Sequence, residues 1–173
     1  DMTSCYETHH TIQREMPYTL RSTGEEKIFF VSYVYVPPDL VMVHTQDITE
    51  QRQINTRLER LNQLNDSLFR PGILGEKLKR ITAGIVDIFD ADFARIWIAE
   101  TGDLCEQCVH ARVVEDRHFC QNRDQCLHLV ASSGRYTHIN GKMHQRVPFG
   151  CYKIGQIATG KESKFLTNDV THD

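Results

Sequence analysis

The stretch GDLCEQCVHARVVEDRHFCQNRDQCLH, residues 102–128, sets the organisation of the chain. It contains four of the six cysteines, together with three histidines. These residues are Cys105, Cys108, Cys120 and Cys126, with His110, His118 and His128. Tetrahedral zinc sites in proteins are built from such thiolate and imidazole donors. The first pair has C-x2-C spacing, at which one tight turn directs two sulfurs to one point, whereas the second pair is more widely spaced. The stretch therefore predicts a metal site in a segment inserted between two regular elements.

Four kinds of site are compatible with this cluster. A structural zinc site formed by the four cysteines would pin a long connection that buries little apolar area. In a variant of that site, His110, His118 or His128 replaces one cysteine. An iron–sulfur cluster or a haem-linked redox sensor is the third interpretation, and redox-active thiols without a metal are the fourth. A secreted disulfide scaffold is disfavoured, because the N-terminal segment DMTSCYETHH does not resemble an export signal.

The composition is that of an ordinary globular protein. Of the 173 residues, 40% are hydrophobic and 25% are charged. The net charge of −3 and the isoelectric point near 6.3 give no overall reason to expect nucleic acid or an anionic membrane as a partner. No apolar run approaches the roughly 18 residues of a membrane-spanning helix. We expect a cytoplasmic protein, and the absence of an initial Met suggests a fragment of a longer one.

The first part of the chain has the pattern of a small antiparallel sheet. Residues 1–16 are polar without periodicity, and no element is assigned to them. Three runs rich in β-branched and aromatic residues follow, separated by short turn signals. They are PYTLRST at 17–23, KIFFVSYVYV at 27–36 and LVMVHTQDI at 40–48. Three strands with such short connections predict an antiparallel meander.

A helix with a heptad seam is predicted next. The sequence Asp-Ile-Thr-Glu at 47–50 is typical of a helix N-cap, and Pro71 and Gly72 end the helix. Its apolar spacing of 4, 3, 4 and 3 residues is that of a coiled coil, with a lone Asn at an a position. The seam consists of Ile54, Leu58, Leu61, Asn65 and Leu68. A parallel dimer helix is favoured, and an amphipathic helix packed on its own domain is the alternative.

The remaining sequence predicts a second mixed region. One apolar face runs through a helix after Gly72, made of Ile73, Leu74, Leu78, Ile81, Ile85, Ile88 and Phe89. FARIWIAE at 93–100 is a predicted strand, and the cysteine segment leads into a second, CLHLVASSGRYTHI at 126–139. A Pro-Gly turn, a short helix at 152–159 with Gly160 as its stop, and a strand KFLTNDV at 164–170 complete the prediction.

Two parts of this order resemble known signalling domains. Residues 17–50, with their D-I-T-E exit at 47–50, resemble the three C-terminal strands of a PAS domain. Residues from about 73 to 173 resemble the first half of a GAF domain, through ADFARIWI at 91–98, PFGCYKIG at 148–155, ATG at 158–160 and TNDV at 167–170. With its cysteine segment, the second part is similar to a cysteine-insert GAF subtype of bacterial and archaeal sensor proteins.

These resemblances imply an α+β fold and a sensory role. The implied parts are a PAS-like segment at 1–50, a connecting helix at 51–71 and a GAF-like domain at 72–173 with its insertion at 102–128. The chain would relay ligand or redox state through a dimeric helix to an output domain absent here, as in sensor histidine kinases. The implied partners are a second copy of the chain, an unidentified small-molecule ligand and an output domain or kinase. Zn²⁺ is the expected metal, with haem or an iron–sulfur cluster as alternatives.

A nucleic-acid-binding module and an enzyme are the other functions that the residues could suggest. A metal-dependent nucleic-acid-binding or regulatory module would use the basic stretch formed by Arg135, Lys142, Arg146 and Lys153, but the acidic chain and the cysteine spacing argue against it. An enzyme is not expected, because Asp90 and Asp92 are explained as turn and cap residues and no catalytic group of residues is evident. Cys151 is expected to be a small buried residue.

Overall fold

The structure is a computed structural model that describes residues 1–112, 119–135 and 144–168. These residues contain two antiparallel sheets of three strands each and five helices. The predicted α+β class is confirmed at this level. The chain divides into two compact units, Asp1–Asn62 and Gln63–Asp173, and the boundary falls within the second helix. Among the described residues, no helix is both long enough and apolar enough to cross a membrane.

The first unit contains the predicted meander. The elements are α1 (Met2–Thr8), β1 (Ile12–Thr19), β2 (Glu26–Val36) and β3 (Leu40–Asp47). The strands pair in the order β1-β2-β3, and the short helix α1 lies against β2 and β3. Cys5 of α1 is completely buried, and the rings of Tyr6 and His9 both contact Tyr35 of β2.

The start of the chain is more ordered than its sequence pattern indicates. Residues 1–16, to which no element was assigned, contain α1 and the first half of β1. The first strand begins at Ile12 rather than at Pro17 and ends at Thr19. Pro17 is accommodated because β1 pairs only with β2 and is therefore an edge strand, where a missing backbone N–H is tolerated.

Helix α2 (Thr49–Phe69) begins directly at the end of β3. The Asp47 carboxylate accepts hydrogen bonds from the backbone N–H of Thr49 at 2.9 Å and from its hydroxyl at 2.6 Å. The same hydroxyl oxygen accepts the backbone N–H of Ile28 in β2 at 2.9 Å. The capping role predicted for Asp47 is thus present, and it fixes the direction in which the helix leaves the sheet.

We expect Asp47→Ala to lower the thermal unfolding midpoint at pH 7. The hydrogen bonds from Thr49 lower the pKa of Asp47, so the folded state favours the ionised carboxylate. This contribution is present above the unfolded pKa of about 3.9 and is lost as the pH falls through the lower folded value. The difference between wild type and variant should therefore disappear in acid. Asp66→Ala, an exposed position on the same helix, is the control, and an equal effect there would contradict the capping role.

The predicted seam of α2 is largely uncovered within one chain. The helix has no buried residue, and Ile54 and Leu58 are 49% and 55% exposed. Asn65 is also exposed, while Leu61 and Leu68 are half-buried. The second half of the helix packs through a residue outside the predicted seam, Leu64, whose side chain lies directly over Gly84. A Cβ at Gly84 would lie 2.6 Å from the end of that side chain, so a larger residue there would displace Leu64.

The described part of the second unit contains three helices, besides the end of α2, and a second sheet. The elements are α3 (Leu74–Phe89), β4 (Phe93–Thr101), α4 (Val109–Arg112), β5 (Gln125–Gly134), β6 (Arg146–Pro148) and α5 (Tyr152–Ala158). The strands pair in the order β4-β5-β6. Helix α3 packs on β4 and β5, burying Thr82 and Ile88, and the Thr82 hydroxyl lies 2.7 Å from that of Ser133. Of the predicted apolar face of α3, the outer members Ile73, Leu74 and Phe89 are exposed.

Two predicted strands of this unit need correction, and a third strand was missed. Residues 164–168 form no strand, and the rest of the predicted run at 164–170 lies outside the described residues. The strand predicted at 126–139 ends at Gly134, which has a φ of +100° and packs on the backbone oxygen of Asp92, while 136–139 are not described. Strand β6 was not predicted, because its three residues are too few to show a periodic pattern.

Candidate metal centre

The cysteine segment connects two strands that pair directly with each other. β4 and β5 are antiparallel along their length, from Phe93 opposite Gly134 to Thr101 opposite Gln125. The connection therefore comprises residues 102–124, and the ladder holds its two ends together. Cys126 and His128 belong to β5 rather than to the inserted loop, so the predicted insertion, 102–128, is four residues too long at its C-terminal end.

The two ends of the connection approach each other closely beyond the last strand pair. The Gly102 N–H donates to the backbone oxygen of Asp124 at 3.3 Å. A Cβ at Gly102 would lie 2.3 Å from the backbone oxygen of Arg123 and 2.8 Å from Cys105 Sγ. Only glycine fits between these groups, and its absence of a side chain lets the C-x2-C turn contact the returning chain.

The four predicted cysteines line a single cavity. Its volume is about 10 Å³, enough for one particle about the size of a water molecule and far too small for an organic ligand. None of the six cysteines of the chain forms a disulfide. The lining residues are Leu104, Cys105, Cys108, Ala111, Cys120, Asn122, Arg123, Cys126, Arg146 and Pro148. The sequence spacing predicts that these thiols lie close together, and the structure places all four at one cavity.

Two of the thiols are buried and two are half-exposed. Cys120 and Cys126 have 6% and 8% of their surface exposed. Burial raises the pKa of Cys126 to about 11, and burial followed by the nearby Cys108 and Cys105 thiols raises the pKa of Cys120. Cys105 and Cys108 affect the pKa of Cys120 because the three thiols lie close together. Thiolate metal sites form when a cation replaces the protons of such thiols.

Two arginines face the same cavity. Arg146 on β6 donates from Nε and from a terminal nitrogen to the two carboxylate oxygens of Asp103, at 2.7 and 2.5 Å. This pairing lowers the pKa of Asp103 to about 2. The Arg146 charge also acts to lower the pKa of Cys126, and that of Arg123 acts to lower the pKa of Cys120. Both guanidinium groups therefore favour the thiolate forms, against the effect of burial.

This charge arrangement fits a divalent ion held by four thiolates. The sum of Zn²⁺ and four thiolates is a charge of about −2, which an apolar cavity would not tolerate without compensation. Arg123 and Arg146 supply two positive charges at the cavity wall, of which Asp103 offsets one. The Cys105 thiol points to the backbone oxygen of Arg123 at 3.8 Å and the Cys120 thiol to that of Asn122 at 3.1 Å, so both converge on the same turn.

The alternative histidine ligands have other contacts. His110 is buried with its ring edge-on to Tyr152, and its backbone oxygen accepts the N–H of Cys120 at 2.8 Å. His128 is buried with Nε2 2.9 Å from the backbone oxygen of Thr101. Within the described part of the chain, neither histidine lines the cysteine cavity. His118 lies outside the described residues.

A second group of possible ligands lies beside the cavity. One ligand atom each from Asp103, Cys126 and His128 lie within 4.8 Å of one another, so the three could hold a metal ion. Both carboxylate oxygens of Asp103 are, however, engaged by Arg146, and His128 Nε2 is paired with a backbone oxygen. Cys126 is the member shared with the cavity, and the two other groups flank it. The triad therefore fits as polar support for Cys126 better than as a separate site.

Sequence reasoning missed Asp103 and Arg123 and assigned Arg146 to a different role. Asp103 lies two residues before Cys105, but a single carboxylate among so many charged residues gives no signal. Arg146 reaches the site because β6 pairs with β5 and places it opposite His128. This pairing depends on the three-dimensional fold and has no local sequence pattern.

The basic stretch proposed for nucleic-acid binding is engaged within the chain. Arg146 is bound to Asp103, and Arg135 forms an ion pair with Asp92 at 3.3 Å. The Lys153 ammonium lies 4.5 Å from the centre of the Phe165 ring. Lys142 lies outside the described residues. Each described member therefore has an acidic or aromatic neighbour within its own unit.

Cys151 is a buried residue of the same unit, as expected. It has 3% of its surface exposed, and its thiol points to the backbone oxygen of Phe119 at 3.7 Å. It is not among the described residues that line the cysteine cavity.

Comparisons of this chain with family models, with curated proteins and with solved structures found no match. The likeness to PAS and GAF domains therefore stays a prediction from the sequence.

Proposed function

We propose that this chain is a signal-relay segment of a sensory protein. Its parts would be PAS-like strands, a dimer-forming helix α2 and a GAF-like domain in which four cysteines hold a structural zinc ion. The order of elements supports this proposal: a three-stranded antiparallel sheet, a 21-residue helix, then a helix and a second antiparallel sheet. No enzymatic activity is proposed for it.

The exposed seam of α2 is the observation that carries the proposal. Ile54 and Leu58 are apolar, spaced for a heptad and about half exposed on a helix that buries no residue within its own chain. Apolar side chains repeated at this spacing are buried when two such helices pair. Asn65, also exposed, would face its own copy and select a parallel two-stranded register.

The zinc ion would cross-link the connection 102–124 and have no open coordination position for a substrate. The C-x2-C turn supplies Cys105 and Cys108, the returning chain supplies Cys120, and β5 supplies Cys126. The small size of the cavity favours a single ion over a haem or an iron–sulfur cluster. The metal would then give rigidity to a connection whose described residues contain only the one-turn helix α4.

Relay would use two packings of the paired α2 helices. The capping of α2 by Asp47 joins the helix rigidly to the last strand of the first sheet. A change in that sheet would rotate or shift the helix pair, and the contacts of Leu64 on α3 would be altered with it. An output domain elsewhere in the protein would respond to this shift.

Replacing Leu58 with Glu should convert a dimer to a monomer. The substitution places a charge in the seam of both helices, where a buried like-charge pair opposes association. Leu58 is preferable to Leu61 for this test, because Leu61 is half-buried within one chain and its replacement would also affect folding. Sedimentation equilibrium measures the mass directly.

The matched control is Gln63→Glu, an exposed position on the opposite face of the same helix. It should remain dimeric and as helical as the wild type. A wild-type chain that is monomeric at high concentration, or a Leu58→Glu chain that dimerises as strongly as the wild type, would refute the dimer helix.

A further inference from the structure

A second, open cleft adjoins the cysteine cavity. Its volume is about 290 Å³, and it is lined by Leu104, Gln107, Cys108, Val109, Gln145 and Arg146. Leu104, Cys108 and Arg146 line both spaces. Among the four clustered thiols, which all lie in the described residues, only Cys108 faces this cleft, whereas Cys120 and Cys126 are buried. Cys105 is half-exposed like Cys108 but does not line the cleft, so a reagent that enters through the cleft would meet Cys108 first.

The walls of the cleft carry polar groups that suit a reaction at sulfur. Arg146 makes three hydrogen bonds, two to Asp103 and one to the backbone oxygen of Gln145. A guanidinium group has more N–H donors than these bonds use. Gln107 and Gln145 also line the cleft, and both are residues whose side chains carry amide N–H donors. Donors placed beside a thiolate stabilise the negative charge that develops on a leaving oxygen.

We propose that Cys108 is a modification site for peroxides, reached through this cleft, and that its oxidation opens the four-cysteine site. The inference rests on the proposed metal site and names a class of signal for it, a two-electron oxidant. The cleft admits a small molecule such as hydrogen peroxide, whereas the inner cavity holds no more than one small particle.

The chemistry occurs in two steps. The Cys108 thiolate attacks one oxygen of hydrogen peroxide, the O–O bond breaks, and the other oxygen leaves as hydroxide, which takes a proton to become water. Cys108 is then a sulfenic acid. The Cys105 thiolate attacks the Cys108 sulfur, an S–S bond forms, and the S–O bond breaks to release a second hydroxide, which is protonated. Two thiolates are oxidised by two electrons, and one peroxide with two protons becomes two waters.

The disulfide would remove two of the four metal ligands together. Cys105 and Cys108 form the C-x2-C turn, a spacing at which reversible disulfides occur in proteins. With only Cys120 and Cys126 remaining, the site would bind its ion far more weakly, and the connection 102–124 would lose its cross-link.

Thiol labelling tests the accessibility claim. Zinc-loaded wild-type protein is treated with less than one equivalent of N-ethylmaleimide, and the labelled peptides are quantified by mass spectrometry. We expect Cys108 to be labelled first among the four, ahead of Cys105, with Cys120 and Cys126 last. Labelling of Cys120 or Cys126 as fast as Cys108 would overturn the proposal.

Blocking the cleft tests the route of the peroxide. Val109 lines the cleft without lining the metal cavity and is 40% exposed, so Val109→Trp should fill the approach and leave the zinc content unchanged. Hydrogen peroxide should then release zinc severalfold more slowly, as followed with a zinc-binding dye, and form less of the Cys105–Cys108 disulfide. The control is Val43→Trp, 41% exposed in the first sheet, which should behave as the wild type.

The zinc content measured before peroxide is added separates the two proposals. Protein that contains no zinc contradicts the metal site itself, and the inference with it. Protein that contains zinc but retains it under peroxide, or releases it equally fast in Val109→Trp, overturns only the role of Cys108 and its cleft.

Discussion

A Cys120→Ser chain is expected to lose the zinc ion proposed for the four-cysteine site and to unfold at a much lower temperature in the second unit. Serine oxygen is a poor substitute for thiolate at zinc, and structural zinc contributes on the order of 10 kcal/mol in small zinc domains at neutral pH. Cys120 is buried and is the ligand proposed from the returning part of the connection, so its loss would leave that part untethered. Zinc content by plasma mass spectrometry and thermal unfolding by circular dichroism measure the two effects.

The matched control for this variant is Cys151→Ser. Cys151 is equally buried, lies in the same unit and does not line the cavity within the described residues. It should retain the full zinc content, with only the modest destabilisation expected of a polar group in a buried position. Full zinc in the Cys120→Ser chain, or an equal loss in both variants, would contradict the assignment of ligands.

Arg146→Met should weaken zinc binding by about 10- to 100-fold, as is typical when groups that support metal ligands are removed. The substitution removes a positive charge from the cavity wall and leaves the Asp103 carboxylate beside Cys126 without its partner. Both changes oppose the accumulation of thiolate charge. The affinity can be measured by competition with a chromophoric chelator of known strength.

Two comparison variants separate charge from a general loss of structure. Arg146→Lys keeps the charge without the two-point contact, so its affinity should fall between those of wild type and Arg146→Met. Arg135→Met removes the partner of Asp92, where the arginine side chain is 80% exposed, and should leave zinc affinity unchanged. An Arg146→Met chain that binds zinc as tightly as the wild type would refute the charge-compensation argument.

Local patterns in the sequence predicted the elements whose cause is local. The run of β-branched and aromatic residues around Phe29 and Val31 forms β2, and the cap at Asp47 starts α2. The four cysteines, which line one cavity, could be predicted to form one site because the spacing of metal ligands is visible within a short stretch of sequence. The same local reasoning placed the cysteine segment between two strands, although it extended the segment too far into β5.

The features that were missed depend on contacts distant in sequence. Asp103 and Arg146 are 43 residues apart and meet only because β6 pairs with β5. Leu64 lies outside the predicted seam but packs on α3, where Gly84 leaves room for it. The predicted strand at 164–170 had a composition typical of strands, yet residues 164–168 form no strand. A strand also needs the edge of another strand to pair with, and composition does not reveal whether one is nearby.

The central claim is that the four cysteines form one metal site beside the paired strands β4 and β5. Measuring the metal content tests this claim most directly. The full chain is purified without added metal and analysed by plasma mass spectrometry together with its visible spectrum. The expected result is about one zinc ion per chain, no absorption in the visible range, and loss of the zinc in Cys108→Ser. Protein without metal, or iron with a visible absorption band, would contradict the claim.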